Sequence, residues 1–396
     1  MELVDHLFRR EHGRIIATLV RVLGPRNLDL AEEAAQDALL RALELWPCSG
    51  LPANPSAWLI QTAKNRAIDA LRRNRRDTGD SALLAIAAPE PAAEIDDQLA
   101  TIRLCCHPAL EPDLQVALTL QIVCGLNARE IARGFLLPES TIAQRLVRAK
   151  REIRDRGLGF DSPGALHSVL AVVYLLFNEG YAATRGDQWF RSDLCEEAVR
   201  LARLLCAHPD TARPPAFALA ALLLFQASRL TARLDDAGDP LRLADQDRAR
   251  WDHSLIAEGF RYLELAARGD TLSTYHLEAE IAAAHATAPS FELTDWYHIV
   301  HCYDELLRHR PSSVVRLNRA VALGYLDGPT AALHALSALE SDPQLTHTHL
   351  LPAAQAEFHR QLGDRPAATS AYLSALERVR TSPERRFLER RLRELA

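Results

Sequence analysis

The chain has 396 residues, a length for roughly two to four domains rather than one core. Apolar residues make up 48%, charged residues 25% and aromatics 6%, and the abundance of Ala, Leu, Arg and Glu favours packed helices over sheets. A formal net charge of −6 excludes a polycation, so positive charge matters by where it clusters, at Lys64–Arg76 and Arg145–Arg156.

Residues Leu3–Arg76 read as a run of helices. Ala31, Ala34, Ala35, Ala38, Leu39 and Ala42 form an apolar stripe at helical spacing. Asp29 is placed to cap this helix, with Glu32 at capping-box distance, and Trp46-Pro47 to end it. Asp29, Glu32, Glu33 and Asp37 give it an acidic character suited to docking on a large partner. Leu51–Ser56, with two prolines and an asparagine, reads as a loop. Trp58–Arg73 is the next helix, with Trp58, Ile60, Ala63, Ala67 and Leu71 for its inner side. Its polar set is Lys64, Asn65, Arg66, Asp69, Arg72 and Arg73. Lys64–Arg76 holds six basic residues and one acid, a density that neutralises phosphates. Asn adds hydrogen bonding to base edges.

Residues 77–98 change character, with Gly, Ser, acidic residues and Pro89-Glu90-Pro91, and read as a linker. A second helical module spans 99–156. Within it Ile131 and Ala132 belong to a short helix, Leu136-Leu137-Pro138 to a turn, and Ile142, Leu146, Ala149 and Ile153 to the buried stripe of a second helix. Thr141, Gln144, Arg145, Arg148 and Arg151 lie outside that stripe. The pattern is a helix-turn-helix, whose second helix reads the major groove.

These motifs, in this order, resemble the extracytoplasmic-function (ECF) class of sigma factors, with region 2 at Leu7–Arg76 and region 4 at Leu104–Arg154. The resemblance implies a DNA-binding subunit that directs bacterial RNA polymerase to promoters and is not an enzyme. Leu30–Leu43 is similar to the family's polymerase-binding helix, which assigns Asp29, Glu32, Glu33, Gln36, Asp37 and Arg41 to the β′ and β subunits of the core. Trp58–Arg73 resembles the element that melts and reads the −10 region, which gives Lys64, Asn65, Arg66, Asp69, Arg72 and Arg73 to promoter DNA, with Asn65 holding a flipped base. Pro138–Lys150 resembles the −35 recognition helix, which gives Thr141, Gln144, Arg145, Arg148 and Arg151 to the −35 duplex. One departure is Leu136, where the family's turn usually has Gly. A stand-alone helix-turn-helix regulator with a sensory tail is the alternative reading, and the basic, Asn-containing helix argues against it.

Gly157–Gly164, with three glycines and Pro163, marks a further boundary. From 165 to 396 helices alternate with Pro/Gly/Asp breaks, and no period-2 strand pattern interrupts them. The fold class is therefore all-α. Ala332, Leu336 and Leu339 recur 36 residues later as Ala368, Tyr372 and Ala375, which resembles the tetratricopeptide helix pair. Such a tail is similar to that of an ECF subgroup with a C-terminal tetratricopeptide-like domain. Asn178–Tyr181, Gln246–Arg248 with Trp251-Asp252, and Leu317–Val321 belong to that likeness and read as buried polar links. Arg385, Arg386, Arg390, Arg391 and Arg393 alternate with Glu384, Glu389 and Glu394, which reads as a solvated helix with i, i+4 pairs. The tail is expected to pack against regions 2 and 4 and control them, with a regulatory protein or ligand as its partner.

No cofactor or catalytic constellation is expected, since GxSxG, HExxH and P-loop motifs are all missing from the sequence. Metal ligation is not expected either: there is no CxxC pair, Cys105-Cys106-His107 reads as packing, and His276, His298 and His301 as scattered histidines. The seven cysteines read as reduced thiols in a cytosolic protein. The N-terminus lacks an apolar signal segment, and Leu166–Phe177 and Ala216–Ala227 are too short to span a bilayer.

Overall fold

The computed structural model describes residues 2–76, 91–134, 137–160, 166–181, 190–236, 238–379 and 381–395. Among these the chain is helical, with one isolated bridge at Leu234 and Pro240. Two compact units divide it, 1–176 and 177–396.

The first unit begins with three long helices, α1 (Glu2–Leu23), α2 (Leu28–Ser49) and α3 (Pro55–Arg76). They pack on one another through Ile15, Ile16, Leu19, Ala35, Ala38, Leu59 and Ala63, all almost fully buried. The start of α2 differs from the capping-box expectation. The helix opens at Leu28, so Asp29 already lies in its first turn and caps nothing. Asn27, ahead of it, turns its side chain back to donate to Leu23 O at 2.6 Å. Its end differs too. Pro47 sits inside the helix, which runs on to Ser49 and stops at Gly50, φ 79°. Pro47 forgoes the bond to the Leu43 carbonyl and crowds it, a cost confined to the end of the helix, which stops two residues later.

Residues 77–90 of the expected linker lie outside the described residues. Its remainder is helical, because α4 (Pro91–Cys105) starts at a proline with its φ preset for a helix. α4 packs on α1, where Arg21 Nε donates to Asp97 at 2.7 Å. The helix-turn-helix follows as α5 (Pro112–Ile122), α6 (Ala128–Gly134) and α7 (Glu139–Arg156). Asn127 and Glu130 cap α6 reciprocally, each accepting from the other's backbone N–H at 2.9 Å. Leu136, where the turn departs from the family, lies outside the described residues.

α8 (Leu166–Tyr181) carries the chain from the first unit to the second. Then come α9 (Ser192–Ala207), α10 (Pro214–Ala227), α11 (His253–Ala266), α12 (Thr274–Thr287), α13 (Trp296–His309), α14 (Ser313–Leu326), α15 (Pro329–Ser337), α16 (Leu350–Gln361), α17 (Arg365–Arg378) and α18 (Ser382–Arg393). From α11 on, each helix packs on the next, as in a helical repeat. The recurring positions are core in both copies: Ala332, Leu336 and Leu339 in one cluster, Ala368, Tyr372 and Ala375 in another. Pro214–Ala232, longer than the 12 apolar residues read from the sequence, meets the length and composition of a membrane span, but 67% of it is buried inside the fold.

Arg385, Arg386 and Arg393 lie on the solvated face expected of α18, but Arg391 does not, and several of these arginines have partners remote in sequence. Arg391 is buried and donates to Glu357 at 2.7 Å, while Arg386 reaches Asp239 at 2.6 Å and Arg390 reaches Asp235 at 3.0 Å. Glu357 also receives Arg242 and Arg360 at 2.7 Å each. Burial opposes the charge on Glu357, but the Arg360 and Arg391 hydrogen bonds and the Arg242 charge hold its carboxyl down to about 2.

Candidate functional site

On α2 the alanines face inward, which leaves Glu33, Gln36 and Arg41 exposed, Asp37 half-exposed, and Asp29 mostly exposed. Leu40, 58% exposed, and Leu45 stand among the charges. Sequence reasoning passed over Leu40, because it looked for a docking face among the charges alone. Its signal was the adjacent pair Leu39-Leu40, only one of which the inner stripe can use. Glu32 departs from the expected docking face. It is buried and paired with Lys150 of α7. Burial raises its carboxyl above the ordinary range, and the Lys150 charge works against that rise.

The α3 residues divide by face. Asn65 and Asp69, four apart, are exposed together with Arg72 and Arg73, and Asn65 Oδ1 accepts from Gln61 Nε2 at 3.0 Å. Arg66 lies between α3 and α2, 3.9 Å from Asp37. Trp58 meets Trp46 edge-on at 5.3 Å, which anchors the start of α3 on α2. Lys64 departs from expectation. Its side chain is buried, 4% exposed, beside Arg21 and Asp97. Burial and then Arg21 lower its pKa, and Asp97 opposes this. A lysine so enclosed is a strut between α3, α1 and α4 rather than a phosphate contact.

In α7 the inner stripe is as the periodicity predicts: Ile142, Leu146, Ala149 and Ile153 are all at most 4% exposed. Gln144, Arg148 and Arg151 are exposed, and Thr141 and Arg145 half-buried. Two of the arginines have partners on the N-terminal end of α5. Arg145 meets Asp113 at 2.7 Å, and Arg148 meets Glu111 at 3.2 Å and Glu152 at 3.0 Å. The two arginines expected to contact DNA are thus ion-paired with acids of the same module. Cys105 and Cys106 are fully buried beneath this module, and burial pushes the Cys106 thiol up to about 12.

The end of α7 closes against the first three helices. Lys150 also lies 3.4 Å from Asp29, and Arg154 lies 3.7 Å from it. Arg26 covers Gly157, where a Cβ would stand 2.7 Å from its guanidinium. On the other side α1 meets the segment after α5. A Cβ on Gly13 would come within 2.4 Å of Val123 O, and one on Gly125 within 3.0 Å of the His12 ring. His12 is buried there, and burial lowers its pKa to about 4, opposed by the Gln121 backbone carbonyl, which favours the protonated ring. Glycine at both positions lets the backbones approach this closely.

The second unit holds a cavity of about 210 Å³ lined by Arg242, His285, Phe291, Trp296, Asn318 and Tyr325 among others. Trp296 stacks on Tyr325 at 4.7 Å, and Phe291 stands edge-on to both. Burial, then Arg229 and Arg248, bring His285 down to about 3. The polar motifs nearby serve as links between segments: Arg248 donates to His285 O and Ala288 O, and Asp252 caps α11.

Comparison with known proteins assigns residues 7–77 to sigma-70 region 2 and 104–153 to sigma-70 region 4. Residues 165–267 match a family of unknown function (DUF6596). The uncharacterized protein R00370 of Rhizobium meliloti is 38% identical over 394 residues, covering 94% of this chain and 91% of that one. The RNA polymerase sigma-H factor of Pseudomonas aeruginosa is 32% identical over 39% of this chain and 85% of its own length. The ECF RNA polymerase sigma factor SigM of Mycobacterium tuberculosis is 29% identical over 40% of this chain and 79% of its own. No solved structure matches.

Proposed function

Because this chain belongs to the RNA polymerase sigma factors, as an alternative factor of the ECF class that directs promoter recognition, we propose how its own residues divide that work. The exposed face of α2, with Asp29, Glu33, Gln36, Asp37, Leu40 and Arg41, docks on the polymerase core. Charges steer and register such an interface, and Leu40 supplies apolar contact at its centre. Gln144, Arg145, Arg148 and Arg151 of α7, with Thr141, read the −35 duplex. Gln is suited to adenine and Arg to guanine or phosphate. Asn65 and Asp69 of α3 receive unpaired −10 bases, and Arg66, Arg72 and Arg73 hold phosphates. Lys64 is left out of this set, and Glu32 out of the docking set.

The observation that carries this division is the exposure of Asn65, Asp69, Arg72 and Arg73 on one helix, backed by buried Leu59, Ala63 and Ala67, and of Gln144, Arg148 and Arg151 on another, backed by its buried stripe. The contact of α7 with Asp29 and Glu32 adds a step. A factor engaged with core needs Asp29 for docking and α7 for DNA, so the two modules separate when the polymerase binds. We read the conformation described here as the resting one. The second unit regulates this step, and its aromatic cavity suits a small ligand or peptide side chain with a flat apolar group. The domain boundaries follow the matched ranges, 7–77 and 104–153. The test is capture of purified core by the full-length chain, followed by the same assay on a chain ending at Arg156. Absence of capture by the full-length chain overturns the docking proposal, and identical capture and promoter activity of both chains overturns the regulatory one.

A further inference from the structure

Three side chains of the second unit converge where α12 lies against α13. Cys302, buried on α13, has His298 one turn before it, and Glu280 reaches across from α12. His298 Nε2 and Glu280 Oε2 are 3.3 Å apart, Cys302 Sγ and Glu280 Oε2 3.6 Å, and Cys302 Sγ and His298 Nε2 3.5 Å.

Those separations have a specific meaning. Zinc binds imidazole nitrogen and carboxylate oxygen at about 2.0–2.1 Å and thiolate sulfur at about 2.3 Å, in a tetrahedron. Tetrahedral angles then set donors about 3.3–3.4 Å apart for N and O, and about 3.5–3.6 Å apart where sulfur is one of the two. All three observed edges match one face of that tetrahedron. The i, i+4 spacing of His298 and Cys302 supplies two donors from one helix face, and the third comes from a neighbouring helix, so the site depends on the fold. Sequence reasoning passed over it because Glu280 stands 22 residues from Cys302 and no short motif joins them.

We propose that Glu280, His298 and Cys302 form a binding site for zinc or a like divalent transition metal. The donor set of one nitrogen, one oxygen and one sulfur suits such an ion and not magnesium or calcium, which take oxygen ligands. The Glu280 carboxylate gives this donor set a negative charge suited to a cation. His298 and Glu280 are each about 40% exposed at the side chain, which leaves the fourth position open to water or to a ligand from another molecule. Metal entry displaces the thiol proton to solvent and leaves the thiolate on the metal. The bound ion staples α12 to α13, beside the aromatic cavity that Trp296 lines.

The test is titration of the metal-free, full-length protein with cobalt(II), followed by zinc. Cobalt(II) in a tetrahedral thiolate site gives visible d–d bands and a near-ultraviolet sulfur-to-metal charge-transfer band. The expected result is one equivalent with both features, displaced by zinc. His298→Gln and Glu280→Gln, both at half-exposed positions and checked by circular dichroism for native fold, each weaken cobalt by roughly tenfold or more. Cys302→Ser removes the charge-transfer band. No saturable binding by the wild type, or the same bands at the same affinity in all three variants, overturns the proposal.

Discussion

Lys150, on the helix assigned to −35 recognition, is ion-paired with Glu32, on the helix assigned to core docking. The two residues are 118 positions apart, and both are largely enclosed, with side-chain exposures of 14% and 10%. An ion pair this enclosed contributes little by itself to stability, but removal of one partner strands the other in a poor solvent. It therefore acts as a latch between the two modules.

Replacing Lys150 by Met keeps its stem and removes its charge. Glu32 is then left without a cation, at a cost of about 1–3 kcal/mol to the closed arrangement. Core affinity of K150M rises several-fold, and amide exchange in the first turns of α2 and the last turns of α7 becomes faster. Unchanged exchange and affinity in K150M would remove the latch.

The packing of α1 on the segment after α5 is sensitive to acid through His12. Its pKa is about 4 where it is buried against Gly125 and near 6.5 when exposed. Closure is thus fully favoured above about pH 6.5 and weakens as pH falls toward 4, by about 2 kcal/mol at pH 5. Small-angle scattering of the full-length chain expands between about pH 7.5 and pH 5, and His12→Phe abolishes that expansion. An equal expansion in H12F places the titrating group elsewhere.

Docking through α2 predicts that Glu33→Arg with Asp37→Arg eliminates co-elution with core and leaves the circular dichroism spectrum intact. Charge reversal places like charges in contact across the interface, costing several kcal/mol. Full co-elution of the double variant contradicts the assignment.

Base capture by α3 predicts a separation of two steps. Asn65→Ala forms the closed promoter complex and fails to open it, because a flipped base needs a hydrogen-bonding pocket to offset a few kcal/mol of lost stacking. Permanganate reactivity of the −10 thymines drops in N65A. Lys64→Ala, in contrast, lowers the melting temperature of the protein, since Lys64 is buried beside Asp97. Gln144→Ala relaxes preference at one −35 position by about 1–3 kcal/mol, read by a mutational scan of that element.

What was legible in the sequence was what periodicity carries. The inner stripe of α7 is a local property, and Ile142, Leu146, Ala149 and Ile153 are buried as their spacing requires. Helix ends were less legible, because Pro47 and Asn27 act through geometry that composition does not encode. Charge was the least reliable guide. Lys64 and Arg72 belong to one basic run, yet one is buried and the other exposed, since helical phase decides which way each points. Glu32, Arg391 and the Glu280–His298–Cys302 cluster have partners remote in sequence, and only the fold brings those partners to them.

Run-off transcription with purified core polymerase on fragmented genomic DNA tests the central claim most directly. The account predicts discrete transcripts that need the full-length chain, and that N65A loses while K150M retains. Absence of any transcript that depends on the chain, with core that responds normally to another sigma factor, would contradict it.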